Sequence, residues 1–189
     1  AHTPVEKSFR DALFQVTSIV TCTGFVTADY TSWARFLWFF IFILMFVGGS
    51  VGSTSGGIKV LRHFLLFKNS VAEFKRMLHP SAVIPVRYNG KVVSNEIIFK
   101  VHAFFFMYLM IFIISSLLLT FFGMDFVSSM GAVVTTMGGI GPGLGTVGPV
   151  SNFALVPTAG KWLLSFLMLI GRLELFSVLI LFSPAFWKK

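Results

Sequence analysis

Residues 48–57, GGSVGSTSGG, form a glycine- and serine-rich run in the middle of an apolar stretch that covers residues 33–67. Five glycines in ten residues cannot maintain a helix against lipid, because the released backbone N–H and C=O groups would find no partner in hydrocarbon. Unwound backbone at membrane depth is tolerated where it faces protein or a cavity that contains water. The run therefore predicts a broken membrane helix of a transporter or channel.

The composition agrees with a membrane protein. Hydrophobic residues make up 56% of the 189 residues, charged residues 12%, and the mean hydropathy is +0.86. A soluble domain would need more polar surface than this. The single cysteine, Cys22, excludes an intrachain disulfide. The chain begins at Ala1 in a polar segment without a visible secretory signal, and we interpret it as part of a longer protein.

Three segments are long and apolar enough to cross a bilayer. They are residues 33–67, interrupted by the glycine run, residues 97–122 and residues 162–186. Two shorter segments, residues 8–20 and 125–135, have helical character but would be only about 17–20 Å long. This length is roughly half of the bilayer core or slightly more. Taken alone, each short segment is equally consistent with a helix that lies flat in the interface.

Both short segments run into a turn rich in threonine and glycine. The first turn reads TCTG from Thr21, and the second reads TMGGIGPG from Thr136. Placing Gly24 opposite Gly138 aligns the preceding sequences IVT and VVT, and each turn is then followed by a full-length apolar segment. The chain is therefore predicted to repeat a unit of short helix, turn and spanning helix.

Such a turn suits the passage of a cation. Rings of backbone carbonyls replace the water of a cation with neutral oxygens that bind it and also release it. Glycine allows the backbone conformations that aim carbonyls at an axis, and helix ends that point into the cavity contribute their dipoles. One Thr/Gly turn would be weak evidence, but two at matching positions favour a cation pore.

The distribution of charge indicates the topology. Residues 68–96 contain five Lys or Arg against two Glu, whereas residues 123–161 contain only Lys161 against Asp125. By the positive-inside rule, residues 68–96 and the C-terminal Lys188 and Lys189 are cytoplasmic, so both turns lie near the outer face. The net charge of +8 is thereby explained by membrane topology, and nucleic acid is not expected as a partner.

Four motifs in order carry a resemblance to a known family. VTCTGF, GGSVGSTSGGIKVLRHFLLFK, TTMGGIGPGLG and GRLELFSVLILFSPAFWKK together closely resemble the potassium-uptake superfamily of TrkH and KtrB, and TrkH more closely. The resemblance implies an all-α membrane protein with four repeats of outer helix, pore helix, filter loop and inner helix around one pore. Residues 1–67 resemble the third repeat without its outer helix, 68–96 a cytoplasmic linker, and 97–189 the complete fourth repeat.

The resemblance also implies a set of site residues and no cofactor, with K⁺ as the transported ion. The filter positions that carry over, mainly through their backbone carbonyls, are Thr21, Cys22, Thr23, Gly24, Thr136, Met137 and Gly138. The second turn departs from a TTTGF-like pattern. The glycine run is implied to be a gate loop below the filter, formed by Gly48, Gly49, Ser50, Gly52, Ser53, Thr54, Ser55, Gly56 and Gly57.

Arg172 is an unusual residue for the middle of a spanning segment. Facing lipid, it would cost about 2.5–3.5 kcal/mol on insertion scales. An ion pair with Glu174 is geometrically poor, because residues two apart point to different faces of a helix. The resemblance implies instead that Arg172 reaches the gate loop.

The glycine run is not predicted to be a phosphate-binding loop. Such a loop requires GK followed by Ser or Thr, whereas Ile58, Lys59 and Val60 follow the glycines here.

The resemblance implies a multi-pass protein of the bacterial inner membrane. Its expected partners are lipid, the rest of the four-repeat pore, a second copy in a homodimer, and a cytoplasmic nucleotide-binding ring of the TrkA or KtrA type. The alternative function is a non-conducting assembly or regulatory part that docks this ring. An enzyme is not expected, because the spans contain no paired carboxylates, metal-ligand cluster or Ser/His pairing.

Overall fold

The computed structural model describes residues 5–173, 175–182 and 184–187, and they form a helical protein, as predicted. The helices are α1 (Val5–Val20), α2 (Arg35–Phe46), α3 (Val60–Leu78), α4 (Asn95–Phe121), α5 (Phe126–Gly138), α6 (Thr158–Arg172), α7 (Leu175–Leu181) and α8 (Pro184–Trp187). Short 3-10 helices cover Tyr30–Ser32, Gly145–Val147 and Phe153–Leu155. Strands β1 (Val47–Gly48) and β2 (Ile58–Lys59) pair in parallel, and β3 (Arg87–Tyr88) and β4 (Lys91–Val92) pair antiparallel.

Helix α5 forms the centre of the core. It packs against α2, α4 and α6, and every residue from 131 to 138 is buried. Asp125 caps its first turn by accepting a hydrogen bond from the Ser128 N–H at 3.0 Å. The Ser128 hydroxyl, and to a lesser extent this N–H, lower the pKa of the Asp125 carboxyl. A short helix with this degree of burial lies inside the protein, so it is not a helix that lies flat in the interface.

Helix α1 is much less covered than α5. Its buried residues are Gln15, Ser18 and Ile19, and it packs mainly against α2. Its exposed apolar side chains include Val5, Phe9, Leu13, Phe14 and Val16. Burying such a face is strongly favourable, so we expect further protein or lipid to cover it.

Two of the three predicted membrane spans are interrupted in the structure. Helix α4, with 27 residues, is the one described helix that by itself is long and apolar enough to cross a membrane. The first predicted span consists of α2, the glycine run and α3, and α3 continues beyond residue 67 to Leu78. The third, residues 162–186, is wrong as one straight helix, because α6 ends at Arg172 and α7 lies at 114° to it. Glu174, Lys188 and Lys189 lie outside the described residues.

Residues 68–96 are folded rather than extended. They contain the second half of α3 and the hairpin of β3 and β4, whose two turn residues, Asn89 and Gly90, have φ values of 47° and 77°. Positive φ at both positions is typical of a tight hairpin turn. A small separate core is formed between α3, α4 and the residue that precedes β3. It consists of Leu65, Ala72, Val86, Ile98 and Val101.

Two glycines allow other segments to touch the end of α5. A Cβ added to Gly171 in α6 would overlap the Met137 carbonyl oxygen, and one added to Gly56 would overlap the Gly138 carbonyl oxygen. These overlaps involve backbone atoms, which cannot move aside as a flexible side chain can. Glycine at positions 56 and 171 is therefore required for the observed packing.

We expect Gly171→Ala to lower the thermal stability of the full-length protein, because overpacking costs about 1–3 kcal/mol. Helix propensity alone acts in the opposite direction, by about 1 kcal/mol in favour of alanine. Gly160→Ala in the same helix is the matched control, since its Cβ would meet the side chains of Leu119 and Val156 at 2.9 and 3.1 Å. Melting temperatures of the two purified variants provide the measurement. Equal values would contradict the packing argument.

Candidate functional site

The first turn follows directly from the end of α1. The N–H groups of Cys22 and Thr23 donate to the carbonyls of Ile19 and Ser18 at 3.1 and 3.0 Å. Cys22 and Gly24 both have positive φ, 57° and 74°. The Ser18 hydroxyl donates to the Phe25 carbonyl at 2.7 Å and ties the far end of the turn to α1.

The second turn has the same construction. Gly139 ends α5 in the left-handed conformation, with φ of 67°, and the Ile140 N–H donates to the Thr135 carbonyl at 3.0 Å. Gly141 has φ of 112°. The Thr135 hydroxyl donates to the Pro142 carbonyl at 2.9 Å and accepts from the Gly141 N–H at 3.0 Å. A hydroxyl of the short helix therefore fixes each turn.

These bonds define which positions correspond. In each turn a hydroxyl donates to the carbonyl seven residues later, from Ser18 in one and from Thr135 in the other. Gly24 then corresponds to Gly141, so the sequence alignment of Gly24 with Gly138 is wrong by three residues. Three residues are nearly one helical turn of about 3.6 residues, so the shifted alignment preserved the apolar pattern.

The physical reason for this shift is that α5 continues to Gly138, three residues beyond the predicted end of its segment. The Thr136 hydroxyl donates back to the carbonyls of Ala132 and Val133, which is compatible with a continuing helix. The next glycine, Gly139, then provides the left-handed cap that ends α5. Thr136, Met137 and Gly138 therefore form the buried last turn of α5, whereas residues 21–24 follow the end of α1.

The structure brings the two turns into contact. A Cβ added to Gly24 would overlap the Ile140 carbonyl oxygen, which shows how closely the two backbones approach. The segments that follow the turns are also joined, because the buried Tyr30 hydroxyl donates to the Gly143 carbonyl at 2.7 Å. Two segments that are distant in sequence thus form one site.

The chemistry of this site suits a weakly held cation. The C-terminal end of an α-helix carries a partial negative charge, and both α1 and α5 end at the site. Within the described residues, His, Cys, Asp and Glu form no group of three that could hold a metal ion. The oxygens available are therefore backbone carbonyls and threonine hydroxyls, which favour exchange over tight binding.

Residues 48–57, the expected gate loop, lie against the end of α5. The loop is closed at its base by the pairing of Val47 with Ile58 and of Gly48 with Lys59. Inside it, the Ser55 hydroxyl accepts from the Gly49 N–H at 2.8 Å. Because Gly56 touches the Gly138 carbonyl, the loop packs directly against the helix end that leads into the second turn.

Two cationic side chains hold this loop. Arg172 donates to the Thr54 carbonyl, so the contact implied by the resemblance is present. Lys59 donates to the carbonyls of Ser53, at 2.8 Å, and Ser55. Sequence reasoning missed this role of Lys59. The available signal was a lysine placed two residues after the glycine run inside an apolar stretch.

A cavity of about 170 Å³ lies between the loop and the break after α6. Its polar lining includes Lys59, Arg62, Tyr108 and Arg172. The Tyr108 hydroxyl is buried and has no hydrogen-bond partner among the described residues. A buried hydroxyl of this kind is normally satisfied by water, and the cavity has room for it. The loop therefore borders a cavity whose lining includes polar side chains, which is compatible with unwound backbone in a membrane protein.

Repeated short helices, carbonyl-rich turns and broken apolar helices are typical of helical membrane proteins that transport ions. The entire chain, residues 1–189, matches the family model described as "TrkH: Cation transport protein". The chain belongs to this family.

Named relatives and a solved structure support the same family. The chain is 41% identical over 182 residues to "Trk system potassium uptake protein TrkH" of Salmonella typhimurium, and 39% identical over 188 residues to "Trk system potassium uptake protein TrkI" of Halomonas elongata. These alignments cover 96% and 99% of the chain but only 37% and 38% of the relatives. The crystal structure of the potassium transporter TrkH from Vibrio parahaemolyticus superposes with a TM-score of 0.91 at 40% identity, over 99% of this chain and 40% of that one.

We expect Thr135→Val to loosen the second turn, because it removes both the donor to Pro142 and the acceptor for Gly141. A hydrogen bond between neutral groups contributes about 0.5–1.5 kcal/mol net. Thr136→Val is the matched control, since that hydroxyl bonds only within its own helix. Hydrogen exchange of a peptide covering residues 139–143 should become faster in the first variant alone. Equal exchange in the two variants would show that Thr135 does not hold the turn.

Proposed function

We propose that this chain supplies two filter segments of a membrane pore for K⁺ uptake. The single observation that carries the proposal is the contact between two turns that are built alike and follow the ends of α1 and α5. We take K⁺ as the transported ion because the names of the relatives specify potassium uptake.

The filter segments are residues 21–24 and 138–141. The first retains the expected Thr21, Cys22, Thr23 and Gly24. The second keeps Gly138 from the expected set and adds the three residues after it, because its positions correspond to the first turn. In this arrangement Thr136 and Met137 support the filter from the last turn of α5. Carbonyl oxygens of both segments replace water around K⁺, and the negative helix ends favour its entry.

In this proposal the loop of residues 48–57 is the gate, and Arg172 is one of the side chains that hold it in place. The loop lies against the end of α5, borders the polar cavity and is bonded to Arg172 through Thr54. A glycine-rich segment changes conformation at low cost, which suits a part that must move to let ions pass.

The complete pore requires more protein than this chain, which spans less than two fifths of the length of the curated relatives it matches. We place the rest of a four-repeat pore and lipid against the exposed apolar faces, including that of α1. The charge distribution supports a bacterial inner membrane with residues 68–96 and the C-terminus in the cytoplasm. The homodimer and a regulatory ring of the TrkA or KtrA type remain proposals that rest on family membership.

A non-conducting assembly or regulatory part is the second candidate. It accounts for the cytoplasmic face of residues 68–96, but it gives no reason for two matched turns of exposed backbone oxygens. The paired turns therefore favour conduction.

Ion density provides the direct test of the filter. In the full-length protein soaked in Rb⁺ or Tl⁺, we expect anomalous density within coordination distance of the carbonyls of residues 21–24 and 138–141, because both segments belong to one carbonyl-rich site. Soaking in Na⁺ alone is the control. Anomalous peaks confined to other parts of the protein would rule out the assignment.

We expect Arg172→Ala to raise ion flux several-fold in proteoliposomes that contain the full-length protein, because it removes a bond that holds the loop and a positive charge near the path. Arg76→Ala is the matched control, since Arg76 also donates to a backbone carbonyl, that of Ile84, but in the predicted cytoplasmic segment. A shortened loop should raise flux as well, and combining both changes should be non-additive. Reduced flux in well-folded Arg172 variants would contradict a gating role.

A further inference from the structure

Lys59 places its ammonium group inside a cage of loop oxygens. The Nζ atom donates to the Ser53 carbonyl at 2.8 Å and to the Ser55 carbonyl, and the hydroxyl oxygens of both serines lie at 3.3 Å. The two hydroxyls also bond to each other at 2.8 Å. Four oxygens from two loop residues therefore surround one positive charge.

The carbonyl of the residue between the two serines is also bonded to a cationic side chain. Thr54, between the two serines, directs its carbonyl to Arg172. Three successive carbonyls of the loop are thus bonded to cationic side chains. Neutral carbonyl and hydroxyl oxygens around a monovalent cation are also the chemistry of a K⁺ filter, and lysine is a compact point charge that needs no planar partner.

We propose that Ser53, Thr54 and Ser55 form a binding site for a monovalent cation, which the ammonium of Lys59 fills from within the chain. Lys59 then acts as a tethered competitor of the permeant ion and holds the gate loop across the path. It is a positioning residue, since it acts through the loop. This inference rests on the proposed function, because it assumes that the loop is a gate in a K⁺ pore.

The surroundings fit this role. Arg62 and Arg172 line the same cavity as Lys59, together with the Tyr108 hydroxyl. The Arg62 guanidinium lies over the Phe104 ring at 3.8 Å from its centroid, so its position is fixed by the aromatic face. Replacing Lys59 would therefore remove one charge of a positive cluster and would free loop oxygens for a passing cation.

The test uses the full-length protein with Lys59→Met, which retains length without charge, and Lys59→Arg, which keeps the charge. Lys68→Met is the matched control, because Lys68 also donates to a backbone carbonyl, that of Arg87 at 3.0 Å, but lies in α3 outside the loop. Rb⁺ flux into proteoliposomes and the position of Tl⁺ in soaked structures are measured for each variant.

We expect Lys59→Met to raise Rb⁺ flux about tenfold, which corresponds to a loss of about 1.4 kcal/mol of closed-state stability. Lys59→Arg should remain close to the unmodified protein, and so should Lys68→Met. Lys59→Met should also show Tl⁺ density among the oxygens of residues 53–55, which the unmodified protein should lack. A merely structural lysine would produce no new Tl⁺ site.

Several results would overturn the inference. They are unchanged flux in Lys59→Met, an equal rise in Lys68→Met, or the absence of Tl⁺ from residues 53–55. Failure of both Lys59 variants to fold would also overturn it, because Lys59 would then be a folding requirement. If the Lys59 variants give one of these results while Tl⁺ binds at residues 21–24 and Arg172→Ala raises flux, the role of Lys59 is wrong and the proposed function stands. If the full-length protein binds no ion at these turns and conducts none, the proposed function fails first.

Discussion

The pairing of backbone polar groups where water is scarce is the constraint on which the rest of the structure depends. A helix satisfies these groups internally, but this chain unwinds at residues 48–57 and at both turns. The loop recovers its partners from a two-residue strand pairing, from the Ser55 hydroxyl and from the side chains of Lys59 and Arg172. Without these bonds, the exposed carbonyls and N–H groups would make the break too costly.

The same constraint explains why backbone atoms dominate the site. Gly24 lies against the Ile140 carbonyl, Gly56 against the Gly138 carbonyl, and Gly171 against the Met137 carbonyl. Each contact needs a residue without a side chain. The result is a compact group of backbone oxygens near the ends of two short helices, and the described His, Cys, Asp and Glu residues form no group of three that could hold a metal ion. In the proposed pore, such oxygens would exchange cations readily.

Charged side chains bond the loop to its surroundings. Arg172 belongs to α6 and joins the loop to a different part of the chain, whereas Lys59 belongs to β2, which closes the base of the loop. Both bond to carbonyl oxygens, and these bonds can be exchanged for bonds to water or to an ion. The folded loop therefore depends on a few polar contacts rather than on a large apolar core, which favours local rearrangement without global unfolding.

The sequence alone determined the membrane class, the break at residues 48–57, the two Thr/Gly turns and the contact of Arg172 with the loop, because composition, glycine content and family motifs are local properties. Tertiary structure decided the equivalence of Gly24 with Gly141, since α5, packed against α2, α4 and α6, continues through Thr136, Met137 and Gly138 and is capped only at Gly139. It also decided the break of α6 and the position of Lys59. These features depend on contacts between distant segments, which local patterns do not contain.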